Sequence, residues 1–314
     1  MTAPALWCVG EGRAEIRDGA LGQGILVETM FTGISRGTER LVLSGGVPPS
    51  ERDRMRPPFQ EGEFPFPVKY GYAAVGRAAD GDLAGRTVFA LFPHQSRFRL
   101  PSDALIPVPD AVPPERAVLA ANMETALNIL WDSQAGAGDR VAVVGGGLVG
   151  LLVASLAARL PGTEVTVLDP LSAREPLARR LGCGFAESGD GLPDQDVVIH
   201  ASATQAGLVA ALDLAGSHAT VVEASWHGRR QVALPLGGAF HSRRLRIVSS
   251  QVGAIPPDRA PRWSHRRRLS KALALLADDK LDALISGQSD FVDLPTAYPG
   301  ILSDPLTLCH RVKF

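Results

Sequence analysis

The segment "VAVVGGGLVGLLVASLAARLPGTEVTVLDP", residues 141–170, constrains this chain more than any other. An apolar run of strand length meets three glycines. An apolar helical pattern follows, and a second strand-like run ends on an acid. That order predicts a βαβ unit whose turn is built for a pyrophosphate. Gly145 permits the tight turn, Gly147 lets the backbone approach the phosphates, and Gly150 lets helix and strand pack closely. The backbone N–H groups of Leu148, Val149 and Gly150 open the helix and face the anion, helped by the helix dipole. Asp169 stands nineteen residues beyond Gly150. A carboxylate there accepts bonds from the adenine ribose hydroxyls and repels a 2′-phosphate, so NAD(H) is expected as the preferred cofactor. Arg174, five residues on, could greet such a phosphate, which leaves NADP(H) open. The plainer alternative is a glycine-rich turn with no ligand.

Strand and helix patterns keep alternating after this unit. The expected strands are 141–144, 165–169, 197–201, 220–224 and 245–250, with a helix over 149–160. Such alternation predicts a mostly parallel sheet covered on both faces. His200 and Ser202, then Ser225 and Trp226, then Ser250 and Gln251 fall at successive strand ends. That is the edge where dinucleotides bind, so Ser202 and Ser225 are expected cofactor contacts. Residues 1–115 read differently, as β-rich and irregular, with a long proline-rich loop from Gly45 to Pro67. The tail from 263 begins with the basic helix "HRRRLSKALALLADDK", and the run "RWSHRRRLSK" around its start is read as a solvated helix face. The domains are therefore taken as 1–115 completed by 263–314, and 116–262.

Composition excludes several partners. The net charge is −1, from 32 Lys and Arg against 33 Asp and Glu, which gives no footprint for nucleic acid. Cys8, Cys183 and Cys309 are scattered and make neither a zinc knuckle nor a disulfide framework. No signal peptide and no membrane span is read, so a cytoplasmic protein is expected.

With these motifs placed, the chain resembles the medium-chain dehydrogenase/reductase family, in its zinc-type alcohol dehydrogenase branch. "TGISRGTE" (32–39) is similar to the family's G-[IV]-C-x-[ST]-D segment, and "GYAAVG" (71–76) to its G-H-E-x-x-G. "LAANMETALNIL" (119–130) resembles an inter-domain helix that carries a Glu near the metal in polyol dehydrogenases. The resemblance implies an α/β fold: a GroES-like β-rich catalytic domain plus a Rossmann doubly wound parallel sheet. It also implies a cleft between the domains, a small-molecule substrate and a homodimer through an edge strand, for which "LRIVSSQVGAI" is a candidate.

The departures bear on the chemistry. Ser35 and Arg36 occupy the place of the family's Cys ligand, with one extra residue, and Tyr72 and Ala73 replace its His-Glu pair. Ser, Arg and Tyr do not make a zinc set, so neither a catalytic nor a structural zinc is expected. Tyr72 then either acts as a general acid in place of the metal or fills the empty pocket. Tyr70, two residues earlier, is expected on the same side of a strand. Glu124 either relays a proton or pairs with Arg36, and Thr38 matches the family's hydroxyl relay or caps a turn. His94 is a lesser candidate. The function expected is zinc-independent hydride transfer between NAD(P) and a carbonyl, alcohol or activated alkene. The alternatives are a dehydrogenase of a bulky substrate, similar to bacteriochlorophyllide dehydrogenases, and a dinucleotide-binding protein without turnover.

Overall fold

A computed structural model describes all residues from Met1 to Phe314. The chain forms two compact units, one of residues 1–121 with 269–314 and one of residues 122–268.

The first unit opens with a long hairpin, β1 (Thr2–Gly10) and β2 (Arg13–Ala20), turning at Gly12, whose φ of +67° suits glycine. Then come β3 (Ile25–Ser35), helix α1 (Arg36–Leu43), β4 (Glu61–Gly62), β5 (Val68–Lys69), β6 (Ala74–Ala78), β7 (Thr87–Ala90), β8 (Arg97–Leu100) and β9 (Ile106–Pro107). Short α2 (Pro114–Ala117) follows, and α3 (Ala120–Ser133) carries the chain into the second unit.

That second unit contains β10 (Arg140–Val144), α4 (Leu148–Ala157), β11 (Glu164–Leu168), α5 (Glu175–Arg180), β12 (Gly184–Ala186), β13 (Gln195–His200), α6 (Gln205–Leu214), β14 (Ala215–Glu223), α7 (Ala239–Ser242) and β15 (Arg246–Ser249). Helix α8 (His265–Leu275) leads back, and β16 (Ile285–Asp290), α9 (Leu294–Ser303) and β17 (Cys309–Lys313) complete the first unit.

Two sheets build the first unit. One runs β2-β1-β5-β4, and the other runs β16-β17-β3-β6-β7-β9 with β8 also paired to β3. Strand β3 is the spine of the larger sheet. Its last five residues, Phe31 to Ser35, are all buried, and it bonds to β17 on one side and β6 on the other. Tyr72 and Tyr70 lie outside any strand, because pairing with β3 begins only at Ala74. This corrects the expectation that both stand on a strand.

The six strands of the second unit pair in the order β12-β11-β10-β13-β14-β15, and every pair is parallel. Counted within the unit this is 3-2-1-4-5-6, the doubly wound order, with its switch point between β10 and β13. The chain thus has the expected α/β fold class. Helix α4 stops at Ala157, short of the expected 160, because the turn at Pro161 and Gly162 already takes over. Strand β12 was not anticipated, since three residues carry too little pattern. Strand β15, from the segment put forward for dimer contact, lies at a sheet edge. No helix is long and apolar enough to cross a membrane.

Candidate functional site

In the second unit, the turn after β10 has the geometry its glycines suggest. Gly145 sits at φ +113°, and a Cβ there would lie 2.7 Å from the Ser202 backbone nitrogen. A Cβ on Gly150 would lie 1.9 Å from the Gly145 carbonyl oxygen, so helix and turn touch backbone to backbone. Gly147 is the N-cap of α4 and has nothing near its missing Cβ. The first intrahelical bond runs from Leu151 N–H to Gly147 O at 2.9 Å. The N–H groups of Leu148, Val149 and Gly150 therefore precede the helical ladder, as an anion site requires.

Asp169 follows β11 and ties the turn together. Its Oδ2 accepts from Gly146 N–H at 2.8 Å and its Oδ1 from Leu171 N–H at 2.9 Å. Arg174 is buried, and a Cβ on Gly146 would lie 3.3 Å from its Cβ and Cγ. Ser202 and Ser225 follow β13 and β14. Ser202 Oγ lies 2.7 Å from His200 Nε2 and 2.9 Å from Thr204 Oγ1, and Ser225 Oγ accepts from Ala203 N–H at 3.0 Å. All the residues singled out for the cofactor are thus gathered at the carboxyl edge of one parallel sheet.

The first unit holds a polar cluster where β3 meets α1. Ser35 is the N-cap of α1 but makes no side-chain cap bond to the helix. Instead Glu39 reaches back, and its Oε1 accepts from Ser35 N–H at 2.7 Å. This is one half of a capping box, with the acid four residues after the N-cap instead of three. The other carboxylate oxygen accepts from Tyr298 O–H at 2.6 Å and lies 3.0 Å from His94 Nε2. His94 Nδ1 in turn lies 2.6 Å from Thr32 Oγ1. Glu39 and Thr32 are fully buried, and His94 and Tyr298 are nearly so.

Tyr72 stands beside this cluster, half-buried, with its phenol hydrogen-bonded to the Ser35 and Thr38 hydroxyls. Burial, with the Glu39 charge second, pushes its pKa up to about 12. The phenol therefore stays protonated and uncharged across the physiological range. Gly71 explains the glycine before it: at φ +125°, a Cβ there would lie 3.0 Å from the His94 ring. Tyr70 is buried and meets Tyr72 edge-on, with ring centroids 6.0 Å apart.

Two expectations need correction. Glu124 pairs with Arg268 rather than Arg36, its Oε1 accepting from Arg268 Nε at 2.9 Å. Arg268 belongs to the basic run read as a solvated face, yet it is 1 % exposed and also bonds Asn128 and the Val252 carbonyl. Burial raises the Glu124 pKa, opposed by Arg268. Sequence reasoning missed Glu39, Tyr298 and Thr32. Glu39 was within view, since it ends the "TGISRGTE" motif where the family has its acid. Tyr298 carries no local signal, because it arrives from the tail.

No family model matches the chain. A curated relative, the D-guloside 3-dehydrogenase of Escherichia coli K12, is 27% identical over 198 residues, which cover 59% of this chain and 57% of that protein. The match thus spans little more than half of that relative's length. Among solved structures, a protein of Sinorhizobium meliloti described as a zinc-binding dehydrogenase and bound to NADP superposes with a TM-score of 0.78 at 19% identity, covering 100% of both chains. A short chain alcohol dehydrogenase of Escherichia coli CFT073 complexed with NADH gives 0.76 at 15% identity, covering 100% of this chain and 99% of that one. The fold is that of the zinc-type medium-chain dehydrogenases, a GroES-like unit with a Rossmann unit.

Proposed function

We propose that this chain is an oxidoreductase of the medium-chain dehydrogenase type, moving a hydride between a nicotinamide dinucleotide and an alcohol–carbonyl pair. The observation that carries the proposal is the 3-2-1-4-5-6 parallel sheet with Gly145, Gly147, Gly150 and Asp169 at the carboxyl ends of its first two strands. The N–H groups of Leu148, Val149 and Gly150 hold the pyrophosphate. Asp169 keeps its carboxylate at the ribose position, which favours NAD(H) over NADP(H). Ser202 and Ser225 flank the dinucleotide along the same edge. When bound, the nicotinamide supplies the hydride acceptor or donor.

The residues present do not fit the zinc that the fold family implies. Its ligand positions carry Ser35 and Tyr72, and neutral hydroxyls are poor zinc donors. The imidazole and carboxylate nearby, His94 and Glu39, are already bonded to each other and to Thr32 and Tyr298. Proton chemistry is assigned instead to Tyr72. Its neutral phenol donates to the substrate oxygen in reduction, while Ser35 and Thr38 orient it. Glu124 is assigned a structural role, since Arg268 holds its carboxylate. The relative at 27% identity supports a polyhydroxylated substrate of sugar or polyol type.

Fluorescence titration with NADH and NADPH, side by side, tests the cofactor half. NADH is expected to bind at least about tenfold more tightly, and binding of neither would sink the whole proposal. Tyr72→Phe tests the proton half. Turnover on a polyol panel is expected to fall at least about 100-fold, with NADH affinity unchanged. Unaltered turnover would remove Tyr72 from the chemistry.

A further inference from the structure

The second unit carries a cluster that hydride transfer does not use. His200 ends β13, Glu223 ends the neighbouring β14, and His227 lies four residues further along the loop that leaves β14. One ligand atom from each lies within 4.8 Å of the other two. His200 Nδ1 is 2.8 Å from Glu223 Oε2, and His227 Nε2 is 3.4 Å from the same oxygen. The imidazole rings lie nearly parallel, 18° apart, with centroids at 6.0 Å.

We propose that these three side chains form a binding site for a divalent first-row transition metal of the zinc class. Two imidazoles and a carboxylate are a sound donor set for such ions. Bonds of about 2.0–2.1 Å in tetrahedral geometry place ligand atoms about 3.3 Å apart. Two of the spacings, 2.8 and 3.4 Å, lie close to that value and the third is within 4.8 Å, so side-chain adjustment is enough to bring the atoms together.

The outer contacts favour ligation as well. Ser202 Oγ lies on the far side of the His200 ring, 2.7 Å from Nε2, and Thr204 Oγ1 supports that hydroxyl at 2.9 Å. With the proton on Nε2, the His200 tautomer leaves Nδ1 free to ligate. Glu223 Oε1 is held by Ser225 N–H at 2.7 Å, which leaves Oε2 for the ion. Such anchoring of a ligand's remote atom is the usual support of a metal site. Three protein ligands leave the fourth position to a water, as in open zinc sites.

The site also has access and a structural purpose. His200 is fully buried, but the side chains of Glu223 and His227 keep 17% and 15% exposure. The loop after β14 has no helix or strand before α7, and Arg230 already pins it with a bond to the Ala203 carbonyl at 2.9 Å. An ion held by His227 adds a second brace, fixing this loop to the ends of β13 and β14. None of its three ligands falls at a zinc position of the resembling family, which here carry Ser35, Tyr72 and Glu124.

The test uses the full chain, stripped with chelator and dialysed, then titrated with Zn²⁺ by calorimetry and with Co²⁺ by visible absorption. Near one equivalent is expected, with the d–d bands of a low-symmetry four-coordinate site. His227→Ala and Glu223→Gln are each expected to weaken Zn²⁺ binding at least about tenfold. His241→Ala, which removes an exposed histidine outside the cluster, is expected to bind as the unaltered chain does. Circular dichroism of each variant guards against simple unfolding, and Glu223→Gln keeps the side-chain shape. The proposal is overturned if the chain takes up no stoichiometric ion. It is overturned equally if both cluster variants bind like the parent. Zinc that persists undiminished in both variants would instead locate the metal elsewhere and count against the zinc-free assignment at Tyr72.

Discussion

A single carboxylate organises the polar cluster of the first unit. Glu39 is fully buried and accepts from Ser35 N–H and Tyr298 O–H, with His94 alongside. A buried acceptor that loses a donor forfeits more than the bond, since water cannot replace it. Tyr298→Phe is therefore expected to cost about 1–3 kcal/mol, read as a lower urea midpoint at unchanged m-value. A shift within error would mean that Glu39 does not depend on that phenol. At the same scale, Gly71 shows why a local motif can mislead. The "GY" pair looks like a strand start, but the glycine is needed because its φ is +125° and the His94 ring lies against it. Ser35 likewise reads as a failed metal ligand. Its position is used instead for a helix cap contact and for a hydrogen bond to Tyr72.

Elements carry the next level of constraint. Helix α8 begins with a run of basic residues whose neighbours are largely exposed, yet Arg268 turns inward to Glu124, Asn128 and the Val252 carbonyl. A buried ion pair is weak evidence for net stability, but breaking one is costly, because the partner charge is left unpaired. Arg268→Met is expected to destabilise the protein by about 3–5 kcal/mol, and Glu124→Gln together with Arg268→Met by clearly less. Chemical denaturation of the single and double variants checks this, and equal losses would show that Glu124 does not need the guanidinium. The α4 segment is the opposite case. Its apolar run, its glycines and the Pro-Gly turn beyond it all agree, so its place and type were legible from the sequence within three residues.

At the scale of the whole molecule, the buried ionisable groups set how stability varies with pH. Burial pushes the thiols of Cys8 and Cys309, with Glu39 adding to both, up to about 12, and that of Cys183 up to about 11. Tyr72 rises to about 12 in the same way, and burial also raises Tyr70 and Tyr298 well above the ordinary tyrosine value. The unfolded chain therefore releases these protons at lower pH than the native protein. It binds fewer protons than the native state above its thiol pKa values, so stability falls as pH rises. Stability is expected to be unaffected by these groups below about pH 8 and to fall steadily between about pH 9 and 12. Thermal unfolding across that range measures it. A melting temperature constant to pH 11 would show that the thiols and phenols titrate normally in the fold.

The sequence by itself determined the Rossmann unit and the gathering, along one sheet edge, of the residues proposed to hold the cofactor. The reason is that each step there is local: glycine turn, helix start, second strand and acid lie within some thirty residues of one another. It also placed Ser35 and Tyr72 where the resembling family carries metal donors, which is the ground of the zinc-free proposal. Only the tertiary structure decided where charges find partners. Glu39 meets Tyr298 from 259 residues away, Glu124 meets Arg268 from 144 away, and His200 meets Glu223 because adjacent strands end level. Burial fixes such pairings, because a charge removed from water takes whatever donor the packed chain brings to it, and sequence distance does not enter that choice.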